Sequence, residues 1–242
     1  MKHLKSALLL MTLLSMSFTQ AQLGNKKIKG NGNVTTITRT TSDYDGIKCA
    51  GSMDYILVKG TEGKIRIEGE ENLLKHIITE VKNNTLIVKV ENHISLKTSL
   101  NKTIKITIPF QDISEVSLAG SGDLWNEDKI TTTNLDVSLA GSGDVTLDID
   151  TSSVEGSIAG SGDLTLKGKT NNLEASVAGS GDFHGFKLQS NNTEVSVAGS
   201  GDAEVVSNDN LKARVSGSGD IAYKGNPNKE DTKVSGSGSI TN

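Results

Sequence analysis

One short phrase governs what this chain can fold into. Ala-Gly-Ser-Gly-Asp stands complete at Ala119–Asp123, Ala140–Asp144, Ala159–Asp163, Ala178–Asp182 and Ala198–Asp202. Ser216–Asp220 replaces the first Ala with Ser, Ser235–Ser239 carries Ser at both ends, and a worn copy lies upstream at Ala50–Asp54. From Asp123 onward, the closing residues are 21, 19, 19, 20, 18 and 19 positions apart. A unit of about twenty residues cannot bury its inner face alone. It does so by stacking on its neighbours, so a fixed period of this size predicts a solenoid.

The flanks say which kind. Leu135, Val137 and Leu139 alternate with Asp136 and Ser138 before one corner, and Val145, Leu147 and Ile149 follow it. Val154, Gly156 and Ile158 then Leu164 and Leu166 repeat the pattern, as do Leu211, Ala213 and Val215 then Ile221 and Tyr223. Period two on both sides of a glycine-rich corner reads as strand, corner, strand. Stacked coils of parallel strands with short corners make an all-β, single-stranded parallel β-helix of about 19–21 residues per coil, expected to be right-handed. With 34% apolar and only 3% aromatic residues in 242, a narrow core of Val, Leu, Ile and Ala suits the composition. The corner glycines fit places where positive φ or close backbone approach excludes a Cβ.

The chain divides into three parts. Residues 1–21 have a basic start (Lys2, His3, Lys5), an apolar stretch Ala7–Phe18 and a small-x-small end at Thr19-Gln20-Ala21, the pattern of a secretory signal peptide. The apolar stretch is below the ~20 residues a membrane span needs. Residues 22–43 read as a polar leader running into a first strand, and 44–242 as the β-helix, regular from about 112. The expected locations are periplasmic, outer-surface or secreted. Cys49, the only cysteine, stands where later copies place Leu118, Leu139 and Ile158, so it reads as a small core residue.

Residues 60–110 are less regular. Tyr55-Ile56-Leu57-Val58 suggests a strand buried on both sides, Lys64–Glu68 alternates as a strand, and Asn72 could cap a helical turn through Leu73–Ile77. Asn83-Asn84 between two strand-like runs predicts a tight hairpin. Residues 91–103 read as a polar loop, and Thr103–Ile108 as a strand ended by Pro109. The segment is expected to form irregular coils elaborated by a hairpin, with the worn first copy as a specialised terminal coil.

Several of these elements occur in a set order: Gly30-Asn31-Gly32-Asn33-Val34, Gly46-Ile47 followed by Gly51-Ser52, Glu70-Glu71-Asn72-Leu73, and the serial Gly-Ser-Gly-Asp corners. Over roughly residues 30–240 this order resembles the auto-transporter adhesin head GIN domain family of exported Bacteroidetes proteins. The resemblance implies a β-helical exported domain with an adhesin role and no established enzymatic residues.

The sharpest functional candidate in the sequence is the column Asp123, Asp144, Asp163, Asp182, Asp202 and Asp220. Carboxylates ~5 Å apart repel by about 0.8 kcal/mol in water, so solvent, N–H donors or cations must relieve them. The favoured reading is that each aspartate bonds the N–H groups of its own corner. The alternative is a calcium column, although calcium wants six to eight oxygens. No other cofactor is expected. His76, His93 and His184 are scattered and read as surface residues. Trp125, Phe183, His184 and Phe186 read as core or as a carbohydrate-contacting strip. A serine between glycines resembles a nucleophile elbow, yet here it repeats without a dedicated His and acid.

At net charge −4, or 23 basic against 29 acidic residues once 1–21 are removed, the total offers no footprint for nucleic acid or anionic lipid. The reading that emerges is a non-enzymatic, adhesin-like binding module whose partner is an unknown protein or carbohydrate at the cell envelope. The alternatives are a polysaccharide-active β-helix enzyme, and a calcium-binding or self-assembling envelope protein.

Overall fold

From Glu115 onward the coils stack in the register that the repeat predicts. The computed structural model describes residues 25–242, so the signal-like segment 1–21 falls outside the described residues. One strand face is built from Glu115–Gly120, the second part of Ile130–Gly141, the second half of Val145–Gly160, Asn172–Gly179, Asn192–Gly199, Asn210–Gly217 and Lys229–Gly236. The other is built from Leu124–Asn126, the first half of Val145–Gly160, Leu164–Lys169, Phe183–Gln189, Ala203–Val206, Ile221–Lys224 and Ile240–Thr241. All pairings among these strands are parallel, and equivalent residues face each other: Leu139, Ile158, Val177, Val197 and Val215 form one continuous, buried column. Cys49 pairs with Leu118 in that column and is buried, and burial pushes its thiol well above the usual range.

The corner is held by the coil beneath it. The amides of Ser142 and Gly143 both donate to the Gly120 carbonyl, at 2.8 and 3.0 Å, and the same pair of bonds recurs up the stack to Ser237 and Gly238 on Gly217. The first glycine of each corner has φ near +130° to +140°. A Cβ on Gly160 would lie 2.2 Å from the Gly141 oxygen, and one on Gly162 would lie 2.0 Å from the Gly143 oxygen. Neither glycine leaves room for a side chain, which is why both recur.

A second corner, opposite the first, carries hydroxyls and amides. Thr170 Oγ1 donates to the Asn172 carbonyl (3.0 Å), Ser190 Oγ to Asn192 (2.9 Å) and Ser207 Oγ to Asn210 (2.7 Å). These hydroxyls are buried and satisfied, as buried polar groups must be. One coil is a residue longer, the 20-residue interval ending at Asp202, because Gly185 and Phe186 together oppose Leu166 in a β-bulge. The bulge accommodates Phe183, whose ring lies in the core where Gly156 and Gly185 have no side chains.

Residues 25–110 close one end in an order the sequence does not announce. The worn copy, Gly46–Gly51 and Asp54–Lys59, is not the terminal coil. Thr85–Val90 and Lys105–Phe110 form a further coil beneath it, paired parallel to its two strands. Beyond that coil the sheet turns antiparallel: Ile77–Lys82 pairs with Thr85–Val90, and Val34–Thr40 pairs with Lys64–Glu70, which borders Lys105–Phe110. The hairpin at Asn83-Asn84 forms as expected, both residues having positive φ.

Other local expectations shift. The strand at Tyr55–Val58 is fully buried on one side only, with Tyr55 and Leu57 inward. The helix is Glu71–Leu74, without a side-chain cap. Within 91–103 lies the strand Ile94–Lys97, which pairs parallel with Lys26–Lys29 of the leader. Pro109 lies inside its strand, past the last residue that the antiparallel neighbour pairs, where a missing N–H does no harm.

At the far end the apolar columns change character. Glu230 and Thr232 occupy positions that Leu211 and Ala213 fill one coil below, so the last strand turns polar side chains along the core direction. Inward charge of this kind blunts an exposed strand edge.

Candidate binding surface

The six aspartates do form a column, and each is used by the next coil. Asp144 Oδ1 accepts the Asp163 amide (3.1 Å), Asp163 Oδ1 that of Asp182 (2.9 Å), Asp182 Oδ1 that of Asp202 (2.8 Å) and Asp202 Oδ1 that of Asp220 (2.7 Å). Asp123 begins the ladder and Asp220 ends it on Ser239. The acceptor role expected of these residues holds, but the donor belongs to the neighbouring coil, not to the aspartate's own corner. Asp and Gly thus divide one task. The glycine carbonyl takes two amides of the corner above, and the carboxylate takes the third.

The strand face carries three outward columns in strict register. Asn172, Asn192 and Asn210 link through their amides, with Asn192 Nδ2 donating to Asn172 Oδ1 at 3.0 Å and Asn210 Nδ2 to Asn192 Oδ1 at 2.6 Å. Glu155, Glu174 and Glu194 stack beside them and end at Lys212, which is ion-paired to Glu194. Ser157, Ser176 and Ser196 follow. Where the acids crowd, burial and then the neighbouring Glu115 raise the Asp136 carboxyl above its ordinary value. An open groove of about 470 Å³ runs across these columns, lined among others by Asn172, Glu174, Asn192, Glu194 and Lys212. The Asn-Asn doublets at 171–172 and 191–192 signal the amide columns in the sequence, yet the Gly-Ser-Gly-Asp phrase draws attention away from them.

The histidines separate. His76 is half-buried, its Nδ1 2.9 Å from Glu91 Oε2, and His93 takes a positive φ in an exposed turn. His184 stands on the second strand face, with Nε2 4.0 Å from Asp163 Oδ2 and Nδ1 3.5 Å from Glu204 Oε2. Of the aromatic residues, Phe183 is core, Trp125 is half-buried, and Phe186 lies under the Lys224 ammonium, 3.9 Å from the ring centroid.

The polar leader has a defined seat. Glu70, fully buried, accepts the Gly32 amide at 2.5 Å, the Ser99 amide at 2.8 Å and the Ser99 hydroxyl at 2.6 Å. Asn72 accepts from the Asn31 amide and donates to the Lys29 carbonyl. Hydrogen bonds from the Ser99 hydroxyl and amide, then from Gly32, hold the Glu70 carboxyl below its ordinary value of 4.5. A Cβ on Gly30 would lie 2.0 Å from Glu70 Oε2. The Gly-Asn-Gly-Asn and Glu-Glu-Asn-Leu elements, far apart in the chain, are therefore the two halves of one clamp.

Charge is divided along the molecule. Residues 25–110 hold 14 Lys and Arg against 9 Asp and Glu, whereas 111–242 hold 9 against 20. The capped end is basic and the regular shaft acidic, a separation that the net charge conceals. Among the described residues no helix is long and apolar enough to cross a membrane.

Residues 43–227 match the family model described as "Putative auto-transporter adhesin, head GIN domain". The chain is similar to the crystal structure of a "putative adhesin" from Bacteroides fragilis, at 25% identity and TM-score 0.81, covering 89% of this chain and 99% of that one. It is similar to that of a "Putative lipid binding protein" from Parabacteroides distasonis, at 28% identity and TM-score 0.74, with 89% and 99% covered. A "putative adhesin" from Parabacteroides merdae, 22% identical with TM-score 0.70 over 89% and 98%, shares the fold. No curated protein matches the chain.

Proposed function

The chain belongs to the auto-transporter adhesin head GIN domain family, and from that premise we propose that it is an exported, non-enzymatic module that binds its ligand along the outward columns of the strand face. The observation that carries this reading is the register-locked groove of Asn172, Asn192 and Asn210 beside Glu174 and Glu194. Identical polar groups recur there at the inter-strand spacing of about 4.8 Å, on a scaffold whose backbone bonds leave them little freedom. Such a surface suits an extended partner with repeating hydroxyls, a glycan above all. Paired amides and carboxylates accept and donate to such groups without further ordering.

The test is a glycan array followed by Asn192→Ala and Glu174→Gln variants, together with a polysaccharide-degradation screen. Binding that both substitutions weaken, with no oligosaccharide released, supports the reading. Released oligosaccharide would instead favour the polysaccharide-active alternative.

A second reading rests on the charge division. The basic end carries Lys102 and Lys105 in one cleft with Val34, which is 47% exposed, and with Asp54 and Glu68, and the adjoining loop exposes 90% of Leu100. Lysines around exposed apolar side chains suit an anionic lipid surface. A 28% identical Parabacteroides distasonis protein of the same fold is described as a "Putative lipid binding protein". Co-sedimentation with phosphatidylglycerol vesicles but not phosphatidylcholine vesicles, lost in Leu100→Glu, is the expected result. Equal behaviour with both would remove this reading and leave the first untouched.

A further inference from the structure

We propose that the corner closing at Asp182 holds one divalent transition-metal ion between Asp163, Asp182 and His184. One ligand atom from each of these residues lies within 4.8 Å of the other two. Asp182 closes the corner and His184 is the second residue of the strand Phe183–Gln189 that follows it, so the two half-buried side chains flank the inward Phe183. Asp163 stands one coil below, at the position equivalent to Asp182. In both aspartates Oδ1 is taken by an amide of the next coil, which fixes the carboxylate and leaves Oδ2 to face an ion. Asp163 Oδ2 is the atom 4.0 Å from His184 Nε2.

The imidazole is oriented for this. Glu204 Oε2, from the coil above, lies 3.5 Å from Nδ1, so a proton on Nδ1 is favoured and Nε2 is left with its lone pair toward the aspartates. With metal–ligand distances of about 2.0–2.2 Å, a tetrahedral site sets ligand atoms about 3.3 Å apart. The carboxylate and the ring are both near the surface, each with over two fifths of its side chain exposed, so they can close the remaining gap by small side-chain rotations. Asp163 and Asp182 are half-buried, whereas Asp123, Asp144, Asp202 and Asp220 are exposed. The ion also relieves the repulsion between two stacked carboxylates.

The donor set decides which ion. One imidazole with two carboxylates suits zinc, cobalt, nickel or copper, whereas calcium prefers an all-oxygen shell. The neighbouring coils present Thr165 and Glu204 where this one presents His184, so a single corner qualifies and not the column. Water completes the coordination, and the ion joins two successive coils from outside.

Isothermal titration of the purified protein with zinc chloride tests this, with calcium chloride in parallel and cobalt absorption spectra as a second readout. One zinc ion per chain is expected, with micromolar affinity and no comparable calcium binding. His184→Ala and Asp163→Asn should abolish the binding, Glu204→Gln should weaken it about 10-fold, and His76→Ala should leave it unchanged. Cobalt should give a four-coordinate d–d spectrum in the wild type, absent in His184→Ala. Thermal unfolding of each variant without metal shows that it is folded, and His184→Gln serves if His184→Ala is not. No saturable binding at millimolar zinc, or zinc binding that survives the His184 substitution, would overturn the proposal.

Discussion

Replacing Gly160 with Ala should unlatch two coils from each other. Gly160 has φ +140°, and a Cβ there would lie 2.2 Å from the Gly141 oxygen and 3.0 Å from its carbon and nitrogen. That oxygen accepts the Ser161 amide at 2.8 Å and the Gly162 amide at 3.1 Å, so pushing the corner away breaks both bonds. Each is worth about 1 kcal/mol net, and the strained backbone adds about 1–3 kcal/mol for a residue with a Cβ. The expected loss is about 3–5 kcal/mol. Gly32→Ala is the control, because its φ is also positive, +81°, but nothing lies within 4 Å of the added Cβ. It should lose only the backbone part, about 1–2 kcal/mol. Guanidinium unfolding followed by circular dichroism, with equal m-values required, measures both. If Gly160→Ala unfolds at the same denaturant concentration as Gly32→Ala, close inter-coil approach is not why the corner glycines recur.

Further outcomes follow from the aspartate ladder, the Phe183 core and the Glu70 clamp. Asp144→Ala removes the acceptor for the Asp163 amide, whereas Asp144→Asn keeps an oxygen there and removes a charge from the column. Thermal melts should therefore place the Ala variant about 1 kcal/mol below the Asn variant, and equal melting would argue against the ladder. Phe183→Ala should lose about 3–5 kcal/mol to a core cavity. Gly156→Ala, whose Cβ would approach Phe183 Cε2 to 3.2 Å, should be better tolerated in a Phe183→Leu background, as a double-mutant cycle will show. Because Glu70 is held below 4.5, its contribution is full above the ordinary carboxylate range and lost as pH falls through the folded-state value. Limited proteolysis of 25–33 should rise on acidification in the wild type. In Glu70→Gln, which offers one acceptor oxygen to donors from Gly32 and Ser99, it should be high already at neutral pH.

How much of this the sequence reveals depends on the range of each interaction. The stacked core and its corners are legible because one phrase recurs with period-two flanks, so Val137, Val177 and their equivalents can be assigned inward by counting. The order of coils at the capped end is not legible. Sequence spacing carries no sign for whether Thr85–Phe110 stacks above or below Gly46–Lys59, and the strand pairs that decide it are separated by tens of residues. The aspartate column could be found, but its donors could not, since a short side chain at a stacked corner meets the next coil's amide as readily as its own turn. The Glu70 clamp joins residues about 30 to 40 apart, and only the pattern of glycines at 30 and 32 hints at it. His184 reads as an ordinary surface histidine until stacking brings Asp163 beside it.

The corner aspartates are part of the backbone ladder, each accepting the amide of its counterpart in the next coil. Amide hydrogen exchange at Asp163, Asp182, Asp202 and Asp220, read by NMR at neutral pH, tests that directly. Protection comparable to that of the flanking strand amides, with the Asp163 amide alone losing it in Asp144→Ala, is the predicted result. Exchange at the rate of an unstructured loop in the wild type would contradict it.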